Sequence, residues 1–162
     1  GLVGSEMCIR DRRIFDPPRG LFDMSELRIL PIQALGRNFI EGPFVPEGKD
    51  EYYLRELQCP RQPDLYRNLR ADEIEVLIRN GNTADSWDNI RVTDQFVPHR
   101  VKRCEFYGLV RIGRLEEVML EHHDMRVPVG LTDSRIIACD FGDDVAVHHA
   151  RYLAHYLSLI HI

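Results

Sequence analysis

The sequence predicts a mainly β chain with a small α-helical cap, arranged as the beginning of a parallel β-helix. Large apolar residues return at every sixth position from Phe106 onward and again from Phe141 onward. A period of six is typical of β-helices in which each hexapeptide makes one short strand and a turn. A helix with clear start and stop signals precedes this region at residues 71–79. These observations predict a helical cap followed by stacked coils.

Composition places the chain among ordinary globular proteins. Its 162 residues are enough for one domain or a little more. The formal net charge of −5 gives no electrostatic basis for binding nucleic acid. No apolar run approaches the roughly 18 residues that a membrane span needs. We therefore expect neither nucleic acid nor a membrane as a partner.

The two ends of the chain look like translated cloning DNA. Residues 157–162 can be back-translated into DNA whose reverse complement encodes residues 7–12. That element resembles the transposase end of a common sequencing-library adapter. We expect residues 1–12 and 157–162 to be adapter artefact and exclude them from the fold. On this interpretation the β-helix is truncated and the natural protein continues beyond Tyr156.

Residues 13–64 are interpreted as a proline-rich arm. Seven of the nine prolines lie in this stretch. Because proline fixes φ and lacks an N–H, long helices and strands cannot run through it. The pattern predicts an extended arm that packs on another part of the protein.

Residues 65–103 are predicted to form the helical cap. Asp72 and Glu73 occupy the first turn of the predicted helix, where the helix dipole favours negative charge. Leu77 and Ile78 belong to its apolar face. The sequence Asn80-Gly81 then supplies the left-handed stop that ends many helices.

Residues 104–156 are predicted to form the first coils, with an insertion at about residues 120–135. The six-residue repeat runs in two blocks, Phe106, Ile112, Val118 and then Phe141, Val147, Leu153. Gly113 and Gly142 each follow an apolar residue and suit tight corners. The two blocks are out of phase by one residue, so the span between them is interpreted as an insertion.

An amphipathic helix is the alternative for residues 143–156. Asp143 or Asp144 could cap it, and Val145, Leu153 and Tyr156 approximate one face. Local propensity alone favours this helix over a short repeat.

Cysteine usage suggests a reducing compartment. Without the adapter segments the chain keeps Cys59, Cys104 and Cys139, and none forms a C-x-x-C pair. This pattern argues against disulfides and structural zinc. Cys104 and Cys139 are expected to be buried, inert thiols. We expect a cytoplasmic protein without a cofactor.

Several segments resemble the N-terminal part of a large, uncharacterised bacterial protein family. They read LYRNL at 65–69, EIEVLIRNGN at 73–82, CEFYGLVRIG at 104–113, VPVG at 127–130, IIACDFGDD at 136–144 and YLAHY at 152–156. Members of that family are similar to left-handed parallel β-helix proteins of the hexapeptide-repeat class. The resemblance implies strands rather than a helix in residues 141–156. It carries no assigned reaction.

The histidines are the main chemical feature. His122, His123 and Asp124 fall within the predicted insertion. Many hexapeptide-class proteins are acyltransferases acting on sugars or sugar nucleotides, in which a histidine is the general base. By this analogy the catalytic candidates are His123, with Asp124 to orient it, although a solvated loop is the simpler interpretation.

Two functions therefore stay open. The first is a transferase-like enzyme acting on a sugar or sugar nucleotide. The second is a non-catalytic scaffold or self-assembly module, which would form a homo-oligomer through flat β-helix faces. His148, His149 and His155 match no metal-ligand spacing and are expected to be ordinary surface histidines.

Overall fold

The computed structural model describes residues 27–40, 42–58 and 63–158. The chain divides into two compact units, residues 1–31 and residues 32–162. Of the first unit the structure describes residues 27–31, which have exposed side chains and no regular secondary structure. The expectations for residues 1–12, for the beginning of the arm and for residues 159–162 fall outside the described residues.

The second unit contains two helices and fourteen short strands among its described residues. The helices are α1 (Tyr52–Gln58) and α2 (Ala71–Arg79). The strands are β1 (Arg67–Asn68), β2 (Thr83–Ala84), β3 (Ile90–Val92), β4 (Val101–Lys102), β5 (Glu105–Tyr107), β6 (Val110–Ile112), β7 (Met119–His122), β8 (Met125–Pro128), β9 (Gly130–Thr132), β10 (Arg135–Ile137), β11 (Asp140–Phe141), β12 (Ala146–His148), β13 (Leu153–Ala154) and β14 (Leu157–Ser158). Short 3₁₀ turns lie at Ile32–Ala34, Gly42–Phe44, Pro63–Leu65, Trp87–Asn89 and Pro98–Arg100.

Helix α2 confirms the prediction for residues 71–79. The Glu73 side chain accepts a hydrogen bond from the backbone N–H of Arg70 at 2.8 Å, which satisfies a donor at the start of the helix. Gly81 follows the last turn with a φ of +83°. Leu77 is buried in the core, whereas Ile78, expected on the same face, is 56% exposed.

The strands outside one hairpin belong to three sheets. Sheet 1 has the order β13-β10-β5-β2, sheet 2 has the order β1-β3-β6-β11-β14, and sheet 3 has the order β12-β9-β4. Neighbours in each sheet are parallel, except that β1 pairs antiparallel with β3. The chain is therefore mainly β, with two helices and several parallel sheets.

The chain visits the three sheets in a fixed rotation. Strands β2, β3 and β4 lie in sheets 1, 2 and 3, and β5 and β6 return to sheets 1 and 2. After the β7–β8 hairpin, β9 continues in sheet 3, and the rotation then holds through β14. We call one passage through the three sheets a round. Parallel neighbours need a long crossover, and here the strands of the other two sheets supply it.

The core consists of apolar side chains stacked in columns from one round to the next. In sheet 1, Phe106, Ile136 and Leu153 are aligned in register. In sheet 2, Ile112 is aligned with Phe141. Phe106, Ile136, Ile112 and Phe141 are at most 1% exposed, and burying each such side chain stabilises the fold by about 1.5–3 kcal/mol.

One residue per round takes a left-handed backbone conformation at each of two corners. These residues are Arg103, Asp133 and His149 after sheet 3, and Gly108, Ala138 and His155 after sheet 1. A non-glycine residue costs about 1–2 kcal/mol in this conformation. Hydrogen bonds to the round before offset the cost, as where Asp133 N–H donates to Lys102 O at 3.0 Å.

An antiparallel hairpin of β7 and β8 interrupts the rotation between β6 and β9. The insertion was expected at about residues 120–135, but Gly130–Thr132 is already strand β9 of sheet 3. Val118, expected as an inward residue of the repeat, lies just before β7 and is 43% exposed. The first block of inward residues therefore ends at Ile112.

Two short strands, β12 and β13, lie within residues 143–156, where local propensity favours an amphipathic helix. Val147 of β12 is aligned with Leu131, and Leu153 of β13 is aligned with Ile136. Both side chains pack against the buried core. Stacking on the previous round outweighs the weak helical preference of the segment.

Part of the proline-rich arm folds against the outer face of sheet 2. The Tyr52 hydroxyl on α1 donates to Gly36 O at 2.7 Å and accepts from Leu109 N–H at 3.0 Å. Gly108 approaches Gly36 so closely that a Cβ on it would lie 2.9 Å from the Gly36 carbonyl oxygen. The contacts of residues 32–58 bring α1, and Arg55 on it, over the strands of sheet 2.

Candidate functional site

The residues singled out as catalytic candidates lie at the tip of the hairpin. His123 and Asp124 form the turn between β7 and β8, and His123 has a φ of +55°. The His122 and His123 rings meet edge to face with their centroids 4.3 Å apart. Among the described residues no hydrogen bond joins Asp124 to either imidazole. The turn thus brings the two histidines together but leaves the general-base candidate without an orienting carboxylate.

The outer edge of β7 carries backbone N–H and C=O groups that point away from β8. Val129 N–H donates to Val118 O at 3.0 Å, which makes Met119 and Pro128 a non-hydrogen-bonded pair whose backbone groups point outward. The outer edge of β8 is blocked at Pro128, because Pro128 has no N–H and its carbonyl oxygen lies 2.8 Å from His148 Nε2. On β7, the outward N–H and C=O groups of Met119 have no partner among the described residues.

The remaining histidines make separate contacts. His148 Nδ1 lies 2.5 Å from Thr132 Oγ1, and its Nε2 carries the hydrogen because the Pro128 carbonyl can only accept. His155 packs on Phe39 with a ring-centroid distance of 4.1 Å. Burial, with a smaller effect of nearby Arg55, lowers the pKa of His155. No three His, Cys, Asp or Glu side chains in the described part of the chain lie together as a metal site.

Sheet 2 carries a column of charged residues on its outer face. Arg91, Arg111 and Asp140 are aligned in three successive strands. Helix α1 covers this column with Arg55, whose Nε and Nη2 donate to Asp140 Oδ2 at 3.1 Å and Oδ1 at 2.5 Å. Arg55 Nη1 also donates to Leu109 O at 2.7 Å. The side chains of Arg55 and Asp140 are 10% and 4% exposed, so this is a buried, bidentate ion pair.

Arg111 is the unusual member of the column. Its side chain is only 5% exposed, its Nε lies 3.8 Å from Asp140 Oδ1, and its Nη2 lies 3.5 Å from Glu56 Oε1. The Tyr66 ring centroid is 6.0 Å from the guanidinium carbon. Arg111 Nη1 is buried and has no hydrogen-bond partner among the described residues. A buried donor left unpaired costs about 1–3 kcal/mol, and more when charged, so the atom needs a functional or structural reason.

Arg111 lines a cavity of about 180 Å³. The lining residues come from α1, from the segment before α2, from sheet 2 and from the corner before β6, and they are Glu56, Tyr66, Arg91, Leu109 and Arg111. Two of the five are arginines, and Arg91 has no carboxylate partner among the described residues. Sequence reasoning missed this site because no local motif marks it. The only signal is an arginine between apolar residues in both Ile90–Val92 and Val110–Ile112.

A second cavity of about 250 Å³ offers less chemistry. It is lined by Ile32, Gln33, Thr83, Ala84, Asp85, Phe106 and Tyr107. The charged group in that lining, Asp85, already accepts hydrogen bonds from the N–H groups of Ser86 and Gly108. The arginine-lined cavity is therefore the better candidate for ligand binding.

The cysteines Cys104 and Cys139 are buried and unpaired, as expected from the sequence. Burial raises the pKa of Cys104 to about 11 and also raises the pKa of Cys139. Because the thiolate is the reactive form, neither residue is a nucleophile at neutral pH. Among the described residues, none of the helices has the length and apolar character to span a bilayer.

Comparisons with known proteins place the chain in a family without an assigned activity. Residues 66–159 match the family model described as Domain of unknown function (DUF4954). An "Uncharacterized protein" of Treponema pallidum (strain Nichols) is 41% identical over 136 residues, which are 84% of this chain and 19% of the relative. The chain thus spans about a fifth of that relative's length. No solved structure matches the chain.

The two similarities cover different extents. The family match agrees with the segments that carry the resemblance, from about residue 65 to residue 156. The alignment with the relative takes in 136 residues, so it also includes much of the proline-rich arm. The expected resemblance to an uncharacterised bacterial family is confirmed. The chain belongs to the DUF4954 family.

Proposed function

We propose that this chain forms the first coils of a left-handed parallel β-helix that acts as a self-assembling scaffold. The rotation of strands through three sheets supports the coiled arrangement. So do the stacked columns of apolar residues and the repeated left-handed corners. The left hand of the coil follows from the resemblance to the hexapeptide-repeat class.

The observation that carries the assembly role is the open edge of β7. An unpaired strand edge is a template for pairing with another chain. Three apolar side chains around it are also exposed, with Val118 at 43%, Met119 at 59% and Met125 at 60%. In contrast, α1 covers the outer face of sheet 2, which is one of the flat faces that a β-helix could use for assembly.

The occupant we propose for this edge is a second copy of the same chain. Two β7 strands related by a two-fold axis can pair antiparallel, which makes the interface self-complementary. Glu121 brings no uncompensated charge to such a pair, because Arg126 Nε lies 2.8 Å from its Oε2. The result would be a four-stranded sheet joining two β-helices.

Light scattering coupled to size-exclusion chromatography tests this proposal. The purified chain should elute with twice the 18.9 kDa mass of one chain. Met119→Lys places a charged side chain on the pairing edge of both copies and should yield the monomer. The matched control is Ile78→Lys on α2, which changes an equally exposed apolar residue and should leave the dimer intact. A monomeric parent chain, or equal effects of both substitutions, would refute the proposal.

Transferase-like activity on a sugar or sugar nucleotide is the second candidate. The observation in its favour is the exposed imidazole of His123 at the hairpin tip, where a substrate could reach it. His123 would take the proton from an acceptor hydroxyl as a general base. Acyl transfer to sugar acceptors should then fall by a factor of about 10² or more in His123→Ala. Activity that is unchanged in His123→Ala would eliminate this candidate.

A further inference from the structure

We propose that Arg91 and Arg111 form a binding site for a phosphate group, either free or at the end of a small ligand. This site is separate from the hairpin, and its occupation does not depend on assembly through β7. Four features of the cavity carry the inference: the alignment of the two arginines, the unpaired guanidinium nitrogen, the charge balance and the size.

The two arginines are held next to each other by the sheet. Arg91 of β3 is aligned with Arg111 of β6 in a parallel pair. Parallel strands lie about 4.8 Å apart, and aligned residues project from the same face. Two guanidinium groups therefore converge on one cavity from fixed positions. Paired arginine forks suit the several oxygens of a phosphate group.

Arg111 has donor capacity that the protein does not use. The side chain is 95% buried, with 5% exposed, and it lines the cavity. Its Nε faces Asp140 and its Nη2 faces Glu56, while Nη1 has no hydrogen-bond partner in the part of the chain that the structure describes. A phosphate oxygen is the kind of acceptor that such a buried, charged donor requires.

The charges around the cavity leave an excess of positive charge. Asp140 is engaged by the bidentate contact from Arg55, so it neutralises that residue. Among the described residues, Glu56 is the one carboxylate that lines the cavity, and it is half exposed and 3.5 Å from Arg111. Arg91 has no ion-pair partner among the described residues. An anion would complete this balance, and Glu56 would weaken its binding.

The size of the cavity limits the ligand. A volume of about 180 Å³ is below the roughly 300–1,000 Å³ of pockets that enclose drug-sized molecules. It is several times the roughly 30 Å³ that one water occupies in the liquid. A phosphate group with a few waters fits, and any larger ligand would extend out of the cavity.

Titration calorimetry with inorganic phosphate, at constant ionic strength against chloride, tests the proposal. We expect saturable binding of one phosphate per chain. Arg91→Gln should weaken it about tenfold or more, because it removes a charged donor. Glu56→Gln should tighten binding, because it removes the competing carboxylate. Arg151→Gln removes a positive charge from an exposed residue outside the cavity and should change nothing.

Arg111→Gln should abolish binding. If that variant does not fold, Arg91→Gln and Glu56→Gln decide the question, because both residues are less buried. Glucose 1-phosphate and acetate are the comparison probes. Tighter binding of glucose 1-phosphate than of phosphate indicates a larger phosphorylated ligand, and equal or tighter binding of inorganic phosphate indicates phosphate itself. Either result supports the site. Absence of saturable phosphate binding, equal binding of acetate, or an equal loss in Arg151→Gln would overturn the proposal.

Discussion

Replacing Asp140 by asparagine is the most informative test of what holds α1 on sheet 2. The substitution keeps the shape of the side chain and removes its charge. The Asp140 side chain is 4% exposed and accepts hydrogen bonds from both Nε and Nη2 of Arg55. Arg111 Nε also lies 3.8 Å from it. Asp140→Asn therefore leaves the buried guanidinium of Arg55 without its carboxylate and leaves Arg111 with Glu56 alone.

The expected loss of stability is large. Removing one partner of a buried ion pair costs about 3–5 kcal/mol, because the remaining charge is uncompensated. The whole free energy of unfolding of a domain is about 5–15 kcal/mol. With a denaturant slope of about 2 kcal/mol per molar, the urea midpoint should fall by about 2 M. Urea titration followed by circular dichroism measures this shift.

Asp133→Asn is the matched control. Asp133 makes an equally short bidentate contact with Arg103, at 2.6 and 2.9 Å. The Arg103 side chain is 60% exposed, however, and exposed ion pairs contribute little. The urea midpoint of Asp133→Asn should hardly move. Equal shifts in the two variants would show that contact geometry, and not burial, sets the contribution of these ion pairs.

Three further predictions concern the corners, the core and the helical cap. Gly108→Ala should destabilise the fold by at least about 1 kcal/mol, because φ is +68° and the Cβ would meet Gly36 O. Ala138→Gly at the equivalent corner should be neutral or stabilising. A lower melting temperature for Ala138→Gly than for Gly108→Ala would refute the corner assignment. Phe106→Ala should lower the free energy of unfolding by about 3–5 kcal/mol through a cavity in the core, and a loss below about 1 kcal/mol in urea titration would contradict its buried position. The hydrogen bond from Arg67 lowers the pKa of Glu73. The stability that the Glu73 carboxylate contributes is therefore present above its ordinary pKa of about 4.3 and is lost as the pH falls through the lower, folded-state value. Glu73→Gln should flatten this dependence of the melting temperature on acid pH, and an unchanged dependence would contradict the reasoning.

The sequence predicted elements whose cause is local. Helix α2 forms where the acidic first turn, the apolar face and the Asn80-Gly81 stop coincide. The buried positions Phe106, Ile112 and Phe141 were identified because a side chain's direction depends on the strand period. The sequence did not predict which of these residues are aligned in neighbouring strands, because the corners between strands contain varying numbers of residues. Phe106 is therefore aligned with Ile136, and not with the matching member of the second block.

The hairpin and the arginine site could be predicted less well. The sequence indicated an interruption of the repeat, but not that it forms β7 and β8 with one open edge. Arg91 and Arg111 are remote along the chain, and Arg55 is further still. Nothing in their local sequences relates them, because their proximity arises only when successive rounds stack and α1 covers sheet 2.

By itself the sequence determined the class of secondary structure, helix α2 and the identity of most inward residues. These depend on backbone preference and on the alternation of side chains, which act over a few neighbouring positions. Tertiary structure alone decided the register of the strands, the strands of residues 143–156 and the charged column of sheet 2. Each of these depends on contacts between rounds, whose free energy exceeds the local preferences of the segments involved.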